Sequence, residues 1–161
     1  MSSEVRRRRR LFGRAFAFLG GAACVLLVTG CAPTVAMDAA PNATDPACAE
    51  IMVRLPDKLE DLDLRETNAQ ATAAWGSPAS VLLSCGLPVQ PPTSLPCLPV
   101  GTVEWIIDDS NPAYTTATTH GRKPVTQLVI NNTENGGQTF LADLETAIAA
   151  TPIDPGVAPC K

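Results

Sequence analysis

The N-terminal part of the chain divides into a basic segment and an apolar segment, and this division limits which residues can contribute to a fold. Arginines at positions 6–10 and 14 precede an apolar run from Ala15 to Val28. The run has 14 residues, whereas a helix that spans a bilayer needs about 20. A basic segment before a short apolar run is typical of an export signal. Residues 1–30 are therefore predicted to be a signal peptide, and the fold must be built from residues C-terminal to it.

The apolar run ends in Val28-Thr29-Gly30-Cys31, which resembles the lipobox of bacterial lipoproteins. The small residues Thr29 and Gly30 would let a peptidase approach the bond before Cys31. The thiol of Cys31 is predicted to carry a diacylglyceryl group, whose two acyl chains hold a protein firmly to a membrane. A cleaved, soluble secreted protein is the alternative. We expect a protein that is lipid-anchored on the extracytoplasmic face of the cell membrane, with the membrane as its first partner.

The remainder of the chain is predicted to consist of a tether and one acidic domain. Residues 31–44 are rich in Ala, Pro, Thr and Asn and are predicted to form the lipidated N-terminus and a flexible tether. Residues 45–161 are predicted to be a single extracytoplasmic domain. From Cys31 onward there are 15 acidic and six basic residues. Because such a domain repels phosphates, nucleic acid is not expected as a partner.

Cysteine usage predicts two disulfides. Cys24 leaves with the signal peptide, so the predicted domain retains four cysteines: Cys48, Cys85, Cys97 and Cys160. An even number of cysteines in a small exported domain favours disulfides. The favoured pairing is Cys85–Cys97, which closes a proline-rich loop, together with Cys48–Cys160. A zinc site is disfavoured because the domain has no C-x-x-C pair and a single histidine, so no metal is predicted.

Local patterns predict an α+β domain. The signals are alternating apolar residues for strands and apolar stripes or capping residues for helices. Strands joined by short turns favour an antiparallel sheet, here of about four to five strands with helices packed on one face. The predicted helices cover residues 46–55, 68–75 and 138–150. The predicted strands cover residues 62–64, 79–85, 102–108, 113–120 and 125–131, and residues 86–99 are predicted to be loop.

Several short motifs occur in an order that is similar to a known family. They are Ala73-Ala74-Trp75-Gly76-Ser77-Pro78, Ser84-Cys85-Gly86, Cys97, Val103-Glu104-Trp105 and Gly121-Arg122-Lys123-Pro124. Together they resemble the actinobacterial domain-of-unknown-function 3515 family of lipoproteins, over nearly the whole mature chain. His120 departs from the family pattern, which has an aromatic residue there. The resemblance implies an envelope location and brings no activity with it.

No motif predicts a catalytic residue or a cofactor. The chain has no G-x-S-x-G, H-E-x-x-H, Walker or dinucleotide-binding motif. Glu104, Asp108 and Asp109 are the carboxylates that could cooperate, but Glu104 and Asp108 lie about 13 Å apart on one strand. The acidic stretch between Asp57 and Glu66 lacks the ligand spacing of a calcium loop.

Three residues are candidates for binding. Trp75 ends a predicted helix and could wall a shallow pocket, although a place in the core is the competing interpretation. Arg122 and Lys123 are adjacent bases in an acidic domain and could receive an anionic ligand. We expect a non-enzymatic envelope module that binds a partner protein or a cell-wall component. The alternatives are a carboxylate-dependent hydrolase acting on envelope material and a carrier of a small ligand.

Overall fold

The structure, a computed structural model, describes residues 33–134 and 136–160. The predictions of a signal peptide and of lipidation at Cys31 lie outside these residues. The helices are α1 (Pro46–Met52), α2 (Gly137–Asp143) and α3 (Glu145–Ile148). The strands are β1 (Lys58–Leu59), β2 (Leu62–Arg65), β3 (Thr72–Trp75), β4 (Val81–Leu87), β5 (Cys97–Val100), β6 (Val103–Asp108), β7 (Tyr114–His120) and β8 (Val125–Asn131). Within the described range, no helix is both long and apolar enough to cross a membrane.

The eight strands form one antiparallel sheet in the order β1-β2-β3-β4-β8-β7-β6-β5. Strand β4 pairs with β8 at the centre, whereas β5, the next strand along the chain, lies at one edge. Residues 88–96 make this connection, and they include Pro88, Pro91, Pro92 and Pro96. We refer to residues 88–96 as the proline segment.

One face of the sheet forms the core. Side chains alternate across a strand, and in β4 the fully buried Val81, Leu83 and Cys85 alternate with less buried neighbours. The register places Leu83 opposite Leu128 of β8. The core also contains Trp75, Trp105 and side chains from the helices, among them Ile51, Phe140 and Ile148. We call this surface the core face, and the opposite surface the outer face.

The predicted fold class was wrong. The structure has eight strands where four to five were predicted, and its helices have only seven, seven and four residues. Residues 72–75, predicted as helix, form strand β3 because pairing on both sides and burial of all four residues override the helix propensity of Ala73 and Ala74. Strand β5 (Cys97–Val100) overlaps the end of the predicted loop 86–99 and extends one residue beyond it.

The prediction that four cysteines form two disulfides is confirmed, but the favoured pairing was wrong. The bonds are Cys48–Cys85 and Cys97–Cys160. Cys48 and Cys85 are both fully buried, because α1 contributes to the same core as β4. The C-terminal tail returns to strands β5 and β6, where Cys160 meets Cys97 and its N–H donates to Glu104.

Residues 33–44, which the sequence predicts to be flexible, are bonded to the domain. The N–H of Val35 donates to the carbonyl of Glu66 at 2.9 Å, and the N–H of Asn42 donates to the carbonyl of Gly86 at 2.9 Å. The guanidinium of Arg65 donates to the carbonyl of Pro33 at 2.7 Å. Ala43 is buried with the core, with 6% of its surface exposed. Residues 33–44 are therefore held against the domain by hydrogen bonds and by the burial of Ala43.

Candidate functional site

The centre of the outer face carries a row of side chains from three adjacent strands. Ile106 lies opposite Thr118, and Thr118 lies opposite Gln127. In β7, the core-facing Ala117 lies between Thr116 and Thr118, so both threonines point to the outer face. The Nε2 of Gln127 donates to Oγ1 of Thr118 at 3.2 Å. Ile106, Thr118 and Gln127 all line one cavity, and Ile106 also lines a second; both cavities adjoin the proline segment.

The first cavity has a volume of about 600 Å³ and is lined mainly by uncharged polar groups. We call it the polar cavity. Tyr114 lines it, and this residue is 42% exposed. Other lining residues are Asp108, Asn111, Thr116, Thr118 and Gln127. Such a lining offers both donors and acceptors to a ligand, together with an aromatic surface.

Asp108 is the carboxylate in the lining of the polar cavity. Its Oδ1 accepts a hydrogen bond from the backbone N–H of Ser110 at 3.0 Å. Hydrogen bonds from the side chain and then the backbone of Ser110 hold the pKa of Asp108 below its usual range. The carboxylate is therefore ionised at neutral pH and acts as a hydrogen-bond acceptor, which does not suit a general acid.

The second cavity has a volume of about 690 Å³ and lies between the proline segment and the C-terminal tail. We call it the basic cavity, because His120, Arg122 and Lys123 line it. Residues of the proline segment and Ile106 line both cavities, so the two are neighbours. Strand β7 runs beneath both, with Thr116 in the polar cavity and His120 in the basic cavity.

Arg122 is a buried cation, with 5% of its surface exposed. Its guanidinium donates to the carbonyl of Thr151 at 2.6 Å and to the carbonyl of Thr102 at 2.8 Å. Burial lowers its pKa, which the more distant charges of Glu145 and Glu104 oppose. Among residues 33–134 and 136–160, no carboxylate forms an ion pair with it. Its charge is thus held mainly by carbonyl dipoles.

Lys123 and His120 bind the C-terminal tail. The ammonium of Lys123 lies 2.7 Å from a carboxylate oxygen of Asp154, and this bond holds the pKa of Asp154 below its usual range. The Nε2 of His120 lies 2.9 Å from the carbonyl oxygen of Ala158, to which it donates in the matching tautomer. The side chain of Lys123 remains 58% exposed. It can therefore also meet a ligand in the basic cavity.

The structure separates the three predicted binding residues. Trp75 is fully buried in the core, where its indole N–H donates to the carbonyl of Pro56 at 3.2 Å. It lines neither cavity. Arg122 and Lys123 do come together at the basic cavity. The polar cavity was not predicted from the sequence, although the alternation of Thr116 and Thr118 with buried neighbours is a signal that could have indicated a polar outer face.

The carboxylates considered for catalysis are not gathered into one site. Glu104 accepts a hydrogen bond from the N–H of Cys160 at 3.1 Å and lies opposite His120 in the sheet. Asp108 lies opposite Thr116, four residues further along β6. Ligand atoms of Cys97, Glu104 and Cys160 lie within 4.8 Å of one another. Because the disulfide joins the two sulfurs, they are not thiolate ligands for a metal.

Comparison with known proteins places the chain in a family. The family model described as "Protein of unknown function (DUF3515)" matches residues 14–155. The chain therefore belongs to this family, which confirms the predicted membership; its actinobacterial lipoprotein character stays a prediction. No curated protein and no solved structure gave a significant match.

Proposed function

We propose that this member of the DUF3515 family is a non-enzymatic binding module of the cell envelope, anchored to the membrane through Cys31, which holds a saccharide portion of cell-wall material in its polar cavity. The observation that carries the proposal is the lining of that cavity. Hydroxyl and amide side chains, an exposed Tyr114 and the single carboxylate of Asp108, together with prolines, Leu95 and Ile106, surround about 600 Å³.

This combination suits a sugar. Each sugar hydroxyl both donates and accepts, and the side chains of Thr116, Thr118 and Gln127 can meet either role. The ring of Tyr114 offers an apolar surface for the C–H face of a pyranose, with a hydroxyl at its edge. The volume falls in the range of about 300–1,000 Å³ that small-molecule sites occupy. Binding would therefore rest on orientation by a few polar groups on a rigid sheet.

The same lining argues against a hydrolase. Most glycosidases place two carboxyl groups about 5–9.5 Å apart on either side of the scissile bond. Asp108 is the carboxylate of this cavity, and Glu104 lies elsewhere in a bond to the C-terminal tail. The lowered pKa of Asp108 makes it a poor proton donor at neutral pH. These features support retention of the sugar without cleavage.

The test is a titration of the full chain, purified in mild detergent, with chito-oligosaccharides of two to four sugars. We expect binding to be detected by calorimetry. Tyr114→Ala should weaken binding about tenfold, from the loss of roughly 1–1.5 kcal/mol of aromatic contact. Tyr114→Phe keeps the ring and should retain most of the affinity, while Val53→Ala, exposed at the end of α1, should change nothing. If the wild type and the three variants bind with equal affinity, the polar cavity is excluded as the saccharide site.

The anchor is tested separately in cells. Cys31→Ser removes the thiol that would accept the diacylglyceryl group, so the protein should leave the detergent-soluble membrane fraction and lose incorporation of labelled fatty acid. Cys24→Ser, within the predicted signal peptide, is the matched control and should behave as the wild type. Unchanged fatty-acid labelling of Cys31→Ser would contradict lipidation at this residue.

A further inference from the structure

The basic cavity carries more positive than negative charge. Arg122 and Lys123 are its cations, and Asp154 is the carboxylate in its lining. Its opposite wall, formed by the proline segment, is uncharged. A cleft with an excess of one sign of charge and low-dielectric walls concentrates ions of the opposite sign. This cavity therefore favours an anion.

The buried guanidinium strengthens that preference. A buried charge without an ionised partner is costly even when carbonyl oxygens receive its hydrogen bonds. The bonds of Arg122 go to the carbonyls of Thr102 and Thr151, and the carboxylates of Glu145 and Glu104 act on its charge only from a greater distance. Because Arg122 also lines the basic cavity, its charge would attract an anion there at longer range. Arg122 therefore acts through its field, and Lys123, which is exposed, is the residue that can touch the anion.

Asp154 competes for Lys123. Its carboxylate already binds the ammonium at 2.7 Å, and its Oδ1 also accepts from the N–H of Gly156 at 3.0 Å. An incoming anion must share the ammonium with this carboxylate. Because of this competition, Lys123 should contribute only modestly to the affinity for an anion. Substitution of Lys123 should lower that affinity, and substitution of Asp154 should raise it.

From these observations we infer that the basic cavity receives an anionic substituent, a carboxylate or a phosphate, borne by the same saccharide that the polar cavity holds. The inference rests on the proposed function, because it assigns the chemistry of one ligand across two neighbouring cavities. Thr116 and His120 are four residues apart on β7, so the sugar and its anionic group lie about 13 Å apart along the strand. Asp108 at the far end would repel the anion and so fix the direction of the ligand.

The experiment compares two disaccharides that differ by one group. Chitobiose is neutral, and the disaccharide of N-acetylglucosamine and N-acetylmuramic acid adds a lactyl carboxylate. The full chain in mild detergent should bind the acidic disaccharide roughly three- to tenfold tighter, the range of a partly screened ion pair. The difference should vanish in about 1 M salt, where the Debye length is about 3 Å. Chitobiose and its 6-phosphate form a second pair of disaccharides, which tells carboxylate from phosphate.

Substitutions on the ion pair identify the cavity. Lys123→Gln should abolish the preference for the acidic disaccharide and leave chitobiose affinity unchanged, whereas Lys123→Arg should retain the preference. Asp154→Asn, which can still accept from Gly156, should increase the preference because it frees the ammonium. Thermal melts of each variant check that the tail stays folded, and the double variant Lys123→Gln/Asp154→Asn separates loss of the cation from exposure of the carboxylate.

The possible outcomes are distinct. If both disaccharides bind equally well to the wild type, and the phosphate gives no gain either, the anion site is refuted and the saccharide site stands. If Lys123→Gln keeps the full preference, the anion lies elsewhere and the inference is also refuted. If neither disaccharide nor any chito-oligosaccharide binds, the proposed function itself fails.

Discussion

A methyl group at Gly86 would collide with the backbone of the segment that precedes α1. Gly86 has φ +99°, and a Cβ built on it would lie 2.4 Å from the carbonyl carbon of Asn42 and 2.5 Å from the nitrogen of Ala43. Its carbonyl also accepts the N–H of Asn42 at 2.9 Å. Backbone atoms cannot rotate away as a flexible side chain can. Gly86→Ala should therefore push residues 42–43 off the sheet.

The magnitude can be separated into two parts. A positive φ at alanine costs roughly 1–2 kcal/mol. Displacement of residues 42–43 forfeits the Asn42–Gly86 hydrogen bond, about 1 kcal/mol, and exposes Ala43, roughly another 0.8 kcal/mol. The free energy of unfolding should fall by about 3–4 kcal/mol in total. A variant at this position would thus be among the more damaging single substitutions.

Two other glycines supply matched controls. Gly121 has φ +64°, but an added Cβ would meet only the side chain of Val157, at 3.8 Å. Gly121→Ala should therefore lose only the strain, roughly 1–2 kcal/mol. Gly137 begins α2 and an added Cβ would meet Ile130 at 4.0 Å, so Gly137→Ala should lose nothing. The three variants differ in strain and collision but add the same methyl group.

Urea unfolding monitored by tryptophan fluorescence measures these differences, because Trp75 and Trp105 are both fully buried and become exposed on unfolding. The m-values should stay similar, so that midpoints report the free energy of unfolding. A loss at Gly86→Ala no greater than that at Gly121→Ala would refute the close approach of residues 42–43 to β4. A loss at Gly137→Ala would instead show that any added methyl group destabilises the protein.

Three further predictions test the parts that hold the domain together. The side chain and N–H of Thr102 donate to Glu145 and hold its pKa below the usual range. A lowered carboxyl pKa gives stability that is complete above about pH 4.3 and is lost as pH falls through the native pKa. In urea unfolding at a series of pH values, the stability difference between the wild type and Glu145→Gln should therefore shrink on acidification. Replacing Cys48 and Cys85 together by alanine opens a link between residues 37 apart and should cost about 4 kcal/mol by the same method. Arg122→Met should cost about 3 kcal/mol, since its two strong carbonyl partners lose a charged donor; a melting temperature equal to that of the wild type would contradict that role.

The disulfides show which part of the fold the sequence could not supply. The count of four cysteines was enough to predict two bonds, but the pairing depends on which elements share the core. Cys48 reaches Cys85 because α1 packs on the core face beside β4, and no local pattern contains that contact. Peptide mapping after cleavage between Cys85 and Cys97, for example after Val89 with elastase, would distinguish the observed pairing from the predicted one.

Strand prediction succeeded where a strand has one buried face and failed where it does not. Strands β6 and β8 alternate buried and less buried residues over parts of their length, and their predicted spans agree with the structure to within a residue. Residues 72–75 of β3 are buried on both faces, so no alternation exists to be read and the alanines favour helix. Strand β5 contains Pro99, tolerated because β5 is an edge strand.

The candidate site was harder to predict than the strands because its parts come from separate regions of the chain. Ile106, Thr118 and Gln127 become neighbours only through the register of β6, β7 and β8. The sequence did single out Arg122 and Lys123, since two adjacent bases stand out in an acidic domain. It could not show that one is buried among carbonyls while the other is exposed and paired with Asp154.

The second disulfide links the two walls of the basic cavity. The proline segment ends just before Cys97, and the tail that forms the other wall leads directly to Cys160. Prolines restrict the unfolded chain, so less conformational entropy is lost when their segment is fixed over the sheet. The tail is held by the disulfide, by bonds from His120 and Lys123, and by backbone hydrogen bonds with Gly121 and Lys123. The bond between Cys97 and Cys160 therefore fixes the shape of the cavity, whereas the bond between Cys48 and Cys85 secures the core. Because the walls of the cavity are already fixed, the protein loses less conformational entropy when a ligand binds.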